Sequence, residues 1–188
     1  MGMKRSALFH HHRSSGAVFR EHYGWELPAS YSKPDEEIAH VRASVGLADV
    51  SYRIKFETPV DSQGSSWRLG AGRYLVIGDP PLEAPAKGVE ITSVYANLLL
   101  AGPHARATLA KLGSLNLSEE SLPNRSCAQA SMAHVHSIVL REDLGPVPAY
   151  HLLVTRDYAE SVWEAVAHAG EEFTLRPFGL DALQALRG

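Results

Sequence analysis

"YGWELPASYS", Tyr23–Ser32, runs directly into "KPDEEIAHVRASVG", residues 33–46. The first stretch concentrates two tyrosines, a tryptophan and a proline just ahead of a helix start. It reads as one wall of a binding site or as a cover over an apolar core. The second stretch reads as a helix over 34–45. Ser32 is placed to cap it, Pro34 suits a first turn, and Asp35, Glu36 and Glu37 favour the positive end of the helix dipole. Ile38, Val41 and Val45 form its apolar stripe, and Gly46 is its expected stop. "LADVSYRIKFETP" then reads as one strand, with Val50, Tyr52, Ile54 and Phe56 alternating on one face.

Outward from this segment the pattern is mostly strands. "DSQGSS" (61–66) reads as a polar turn. "WRLGAGRYLVIGD" reads as a hairpin about a Gly-rich turn, and "PPLEAPAKG" as a loop. "VEITSVYANLLLAG" reads as a strand and "PHARATLAKLG" as a short helix. "CAQASMAHVHSIVLRED" reads as two strands joined near Ala133. "AYHLLV" is a further strand, a helix starts at Asp157 and stops at Gly170, and "LDALQALRG" is helical. Hairpins outnumber parallel crossovers, which predicts an α+β fold of antiparallel sheets with packed helices.

The 188 residues suit a single domain over 1–188, with a small N-terminal lobe over 1–60 as a variant of that reading. With 45% hydrophobic and 21% charged residues the chain can bury a core without staples. A net charge of −3 and no dense basic patch argue against nucleic acid as a partner. No apolar run resembles a signal peptide or a membrane span, so no membrane partner and a cytoplasmic location are expected. The single cysteine, Cys127, excludes an intramolecular disulfide and reads as a buried small hydrophobe.

Familiar catalytic motifs are absent: no P-loop, no HExxH, no GxSxG. His134 and His136 would share a strand face but lack a third ligand. The His10–His12 run is expected to bind metal only adventitiously, so no metal site is assigned. Asp49 reads as a structural hydrogen-bonding group or a ligand contact. Trp25, Tyr23 and Tyr31 can pack in a core or stack on a flat heterocycle.

Several motifs together carry a family resemblance. "SALFHHHRSSGAVFREHYGWELPASYS" followed by "EEIAHVRASVGLADVS" resembles the N-terminus of the aminomethyltransferase of the glycine cleavage system, the T-protein. The matching residues are Gly16, Ala17, Gly24, Trp25, Glu26, Leu27, Pro28, Gly46, Leu47, Asp49 and Ser51. The match spans the triple histidine without a gap, so that run is read as native. "VYANLLLAGPHARATLAKL" and "RDYAESVWEAVAHAGEEFTLRPFGLDALQALR" resemble later family segments. "LNLSEESLPNRSCAQASMAHVHSIVLRE" resembles the gamma subunit of heterotetrameric sarcosine oxidase.

The resemblance implies a T-protein-like fold that is truncated and lacks the C-terminal lobe. It implies tetrahydrofolate as the cofactor, with Trp25, Tyr150, His151 and Arg187 at the positions that would bind it. It also shows departures. The family's catalytic Asp-Asp-Leu loop has no counterpart between Phe56 and Trp67, so no catalytic residue is assigned. His151 stands where the family places a pterin-contacting glutamate, and a histidine cannot offer a carboxylate's paired acceptors. Leu183 replaces one expected arginine, while Arg187 matches the other. The implied role is a non-catalytic subunit of a folate- or flavin-dependent amine oxidase or demethylase. A stand-alone folate-binding protein or degenerate aminomethyltransferase is the alternative. A larger oxidase or demethylase subunit, or a homo-oligomer, would cover the surface that a missing lobe leaves bare.

Overall fold

The structure is a computed structural model that describes residues 2–62 and 66–188. Its elements are β1 (Lys4–Arg5), α1 (Phe9–Ser14), β2 (Val18–His22), β3 (Trp25–Ser30), α2 (Pro34–Ala43), β4 (Gly46–Asp49), β5 (Ile54–Thr58), β6 (Ser66–Gly70) and β7 (Arg73–Gly78). They continue with β8 (Val89–Glu90), β9 (Tyr95–Ala101), α3 (Ala105–Ala110), β10 (Cys127–Met132), β11 (Val135–Arg141), β12 (Ala149–Thr155), α4 (Ala159–Ala169), β13 (Arg176–Pro177) and α5 (Leu180–Arg187). Three sheets result, ordered β1-β3-β2, β10-β11-β12-β9-β4-β13 and β6-β7-β5-β8. The long ladders are antiparallel, and among the described residues only the two-residue pairings β1–β3 and β4–β13 are parallel. The fold is α+β.

The opening stretch is a hairpin arm. Tyr23 and Gly24 both take positive φ, 49° and 77°, and turn β2 back onto β3. β3 then buries Trp25, Leu27 and Ala29. Ser32 does not cap α2, whose N-cap is Lys33 with no side-chain cap bond. Glu37 acts instead from within the helix. Its Oε1 accepts the N–H groups of Tyr31 and Ser32 at 2.5 and 2.8 Å, and its Oε2 accepts that of Gly179 at 2.8 Å. A buried carboxylate thus ties the end of β3 to the start of α5.

The expected single strand over 47–59 is divided. β4 joins the six-stranded sheet and β5 the four-stranded sheet. From the start of β5 Lys55 sends its fully buried ammonium back to the carbonyls of Ser51 and Arg53 between the strands, at 2.9 and 2.8 Å. This satisfies carbonyls that a continuous ladder would have used. Gly46 does not end α2; it opens β4, where a Cβ would come within 2.6 Å of both Phe178 and Val41. The expected strand over 89–102 likewise splits into β8 and β9 around a turn at Thr92–Val94. The turn expected at 61–66 falls in part on residues 63–65, outside the described residues, and Ser66 already belongs to β6.

Two apolar layers clothe the six-stranded sheet. On one face Leu98, Leu100, Tyr150, Leu152 and Val154 pack against α3 and α4 through Leu109, Val162, Trp163 and Val166. On the other, Leu99, Ala101 and Ala149 meet β3 and α5 through Trp25, Leu27, Leu183 and Leu186. A smaller cluster links this sheet to the four-stranded one through Trp67, Leu75, Ile138 and Leu153. No helix among the described residues is long and apolar enough to cross a membrane.

Candidate functional site

A cluster of charged side chains lies between the two larger sheets, where the β4–β5 break delivers Arg53. Its side chain is buried, and Nη1 donates to Glu142 Oε2 at 2.9 Å and to His151 Nε2 at 3.1 Å. Its Nε lies 3.4 Å from Asp79 Oδ1, and the other oxygen of Asp79 takes Arg187 Nη1. Glu142 Oε1 accepts from Arg125 at 2.6 Å. His151 is fully buried on β12, with Nδ1 3.1 Å from Asn97 Oδ1. The Nδ1–H tautomer satisfies both neighbours: it donates to Asn97, and Nε2 accepts from Arg53.

Burial and the Arg53 charge push the His151 pKa down to about 4, against the raising effect of Glu142. Burial alone would raise Glu142, but its His151 and Arg53 partners hold it well below the usual carboxylate range. Tyr52 borders the group. Burial, reinforced by the charge of Asp79, pushes its phenol up to about 12. Near neutral pH the set is therefore a neutral imidazole among paired guanidinium and carboxylate groups.

The four anticipated ligand residues do not converge. His151 and Arg187 share this network through Arg53 and Asp79. Tyr150 precedes His151 on the same strand and so points to the opposite sheet face. There it lies in the core with Leu98, Leu100 and Val139, with the Arg141 guanidinium 5.8 Å from its ring. Trp25 is buried at the start of β3, and Lys4 Nζ lies 5.8 Å from its ring. Trp25 borders a cavity of about 10 Å³ with Ser6, Ser51, Thr92 and Arg156. Two larger hollows are open grooves elsewhere. One, of about 340 Å³, is lined by Glu57, Lys87 and Val89. The other, of about 420 Å³, is lined by Lys111, His134 and His168. Neither touches the four residues.

Sequence reading missed Arg53, Asp79, Asn97 and Glu142. Arg53 was hidden inside an apparent strand, and Asp79 and Glu142 sit at strand ends like many solvated acids. Arg53 falls with Asp49, Ser51, Lys55 and Glu57 on the polar side of that alternation, as on a solvated strand face.

A second buried polar set involves the opening segment. Tyr31 Oη lies 2.8 Å from His12 Nδ1, and His12 Nε2 lies 3.2 Å from Asp49 Oδ2. Asp49 Oδ1 also accepts the Ser51 N–H at 3.0 Å and the Ser51 hydroxyl at 2.5 Å. Burial would raise the Asp49 pKa, but the bonds from His12 and Ser51 lower it overall. Asp49 thus serves a structural hydrogen-bonding role. The third histidine of the triple run, His12, is fully buried in the fold. His134, by contrast, lies in the β10–β11 turn at φ 64°, so it does not share a strand face with His136. Cys127 is only partly buried, and its thiol donates to the Arg68 carbonyl at 3.1 Å. Burial pushes its pKa up.

The GCVT N-terminal domain profile matches residues 80–188, and the chain belongs to that family. An aminomethyltransferase of Halothermothrix orenii is 28% identical to it over 98% of this chain and 64% of the relative. That alignment runs over 232 positions, so the relative carries segments this chain lacks. The glycine cleavage system aminomethyltransferase T of Bartonella henselae superimposes with TM-score 0.77 at 21% identity. The match covers 99% of this chain and 62% of that one. A chain of the heterotetrameric sarcosine oxidase of Corynebacterium sp. U-96 gives TM-score 0.60 at 14% identity, over 75% of this chain and 92% of that one. The chain spans less than two thirds of the length of the aminomethyltransferases it matches.

Proposed function

We propose that the chain is a non-catalytic, T-protein-like subunit of a folate- or flavin-dependent amine oxidase or demethylase assembly, similar to the sarcosine oxidase gamma subunit. The observation that carries this reading is the closed polar centre. Both ring nitrogens of His151, both oxygens of Glu142 and both oxygens of Asp79 already have protein partners. General acid–base work needs a group within reach of a substrate proton, with a protonation change near the working pH. Here the imidazole is buried and its pKa is pushed down to about 4, far from a neutral working pH. The fold likeness to one chain of a heterotetrameric sarcosine oxidase adds support.

Tetrahydrofolate binding by a stand-alone chain is the second reading. It is favoured by one observation, the convergence of His151 and Arg187 on a common network. Arg187 is the accessible member, and a ligand carboxylate or pterin edge could exchange for Asp79 there. Calorimetry with tetrahydrofolate separates the readings. The subunit reading expects no heat at millimolar ligand. Saturable heat that disappears in Arg187→Ala would support the folate reading instead. For the subunit reading itself the decisive experiment is gentle purification from the native source, with a larger oxidase or demethylase subunit expected at fixed stoichiometry.

A further inference from the structure

The triple histidine divides its side chains among three environments. His10 faces solvent, His12 is sealed against Tyr31 and Asp49, and His11 faces α4. The His11 ring packs edge-on to Trp163, with centroids 5.8 Å apart. This contact fixes the ring beside one turn of α4 that presents Glu160 and Glu164. A His11 ring nitrogen and one carboxylate oxygen from each glutamate all lie within 4.8 Å of one another. Among the described residues none of these three side chains has a hydrogen bond or ion pair.

That arrangement has no evident structural purpose. Glu160 at the start of α4 is favoured by the helix dipole, but Glu164 sits mid-helix. Like charges at i and i+4 weaken a helix, and among the described residues neither glutamate has an ion-pair partner. The chain nevertheless brings a neutral-capable imidazole from a different helix to the same point. One nitrogen and two carboxylate oxygens form a donor set suited to zinc-type ions, whereas magnesium and calcium prefer oxygen alone.

We propose that His11, Glu160 and Glu164 bind one divalent transition-metal ion, zinc being the reference case, and thereby pin α1 to α4. Donors at ~2.0–2.2 Å from a tetrahedral ion lie roughly 3.3–3.6 Å apart. The exposed glutamates reach that spacing by rotamer changes, without backbone movement. The fourth position faces solvent and takes water.

The test uses the full chain without an affinity tag, stripped with a chelator. Zinc chloride is titrated by calorimetry, cobalt(II) is followed by its visible absorption, and melting is recorded with and without zinc. One ion per chain is expected, with a tetrahedral-type cobalt spectrum. Glu164→Gln and Glu160→Gln should each weaken binding at least tenfold, and His11→Ala should abolish it. Zinc should raise the melting temperature of the parent and leave that of Glu164→Gln unmoved. Because Glu164 is exposed, that variant should melt without metal at or above the parent temperature. His10→Ala should bind as the parent does. No binding at submillimolar zinc would overturn the proposal. So would binding that survives both glutamine variants but fails in His10→Ala, since the histidine run alone would then be the ligand.

Discussion

Glu37 and Lys55 are the two buried charges on which the local architecture turns. Glu37 gathers three backbone N–H groups from two distant segments. Glu37→Ala leaves them without acceptors and should lower stability by about 2–4 kcal/mol in denaturant unfolding, whereas Glu37→Gln, retaining one acceptor oxygen, should cost less. Lys55 behaves differently because its partners are carbonyls. Burial pushes its pKa down to about 7. Between pH 7 and the unfolded value near 10.5, the unfolded chain holds a proton that the folded chain has released. Stability should therefore rise with pH from 7 towards 10, by up to about 1.4 kcal/mol per unit. Lys55→Met should flatten that slope in unfolding curves taken across the range. Neither role was readable from the sequence. Glu37 looked like one of three acids at a helix start, and which of them turns inward depends on where Gly179 arrives from 142 positions away. Val41 and Val45 were legible because helical periodicity reports burial directly, while a buried charge leaves no such pattern.

At the scale of elements, hairpins, the α4 stripe and α5 followed from apolar spacing. The failures were junctions: one expected strand became β4 and β5, and another became β8 and β9. In both cases alternation continues across the break, so period alone cannot mark it. What breaks the first is the Lys55 return to the Ser51 and Arg53 carbonyls. Gly102 marks a junction of another kind. It follows β9 at φ 127°, and a Cβ would lie 2.3 Å from the Ser44 carbonyl oxygen at the end of α2. Gly102→Ala therefore combines backbone strain with a clash against main chain. It should cost about 2–4 kcal/mol by thermal or chemical unfolding, more than an ordinary surface substitution.

For the whole molecule, the family signature in "YGWELPASYS" and "GLADVS" belongs to architecture. Trp25 and Leu27 pack the core, Tyr31 and Asp49 clasp His12, and the positions expected to gather round a ligand are distributed over both faces of a sheet. The resemblance carried the fold well because its residues include the buried Trp25 and Leu27 and the glycine of the β2–β3 turn. It carried the site less well because Arg53, Asp79 and Glu142 come together only through the break between β4 and β5. The central claim is that this fold works as a subunit beside a larger partner that performs the chemistry. It is tested most directly by purifying the chain under gentle conditions from its native source and measuring the mass and composition of the species by light scattering and mass spectrometry. The account predicts a defined complex in which a larger oxidase or demethylase subunit accompanies this chain at fixed stoichiometry. A monomer or a homo-oligomer with no second polypeptide would contradict it.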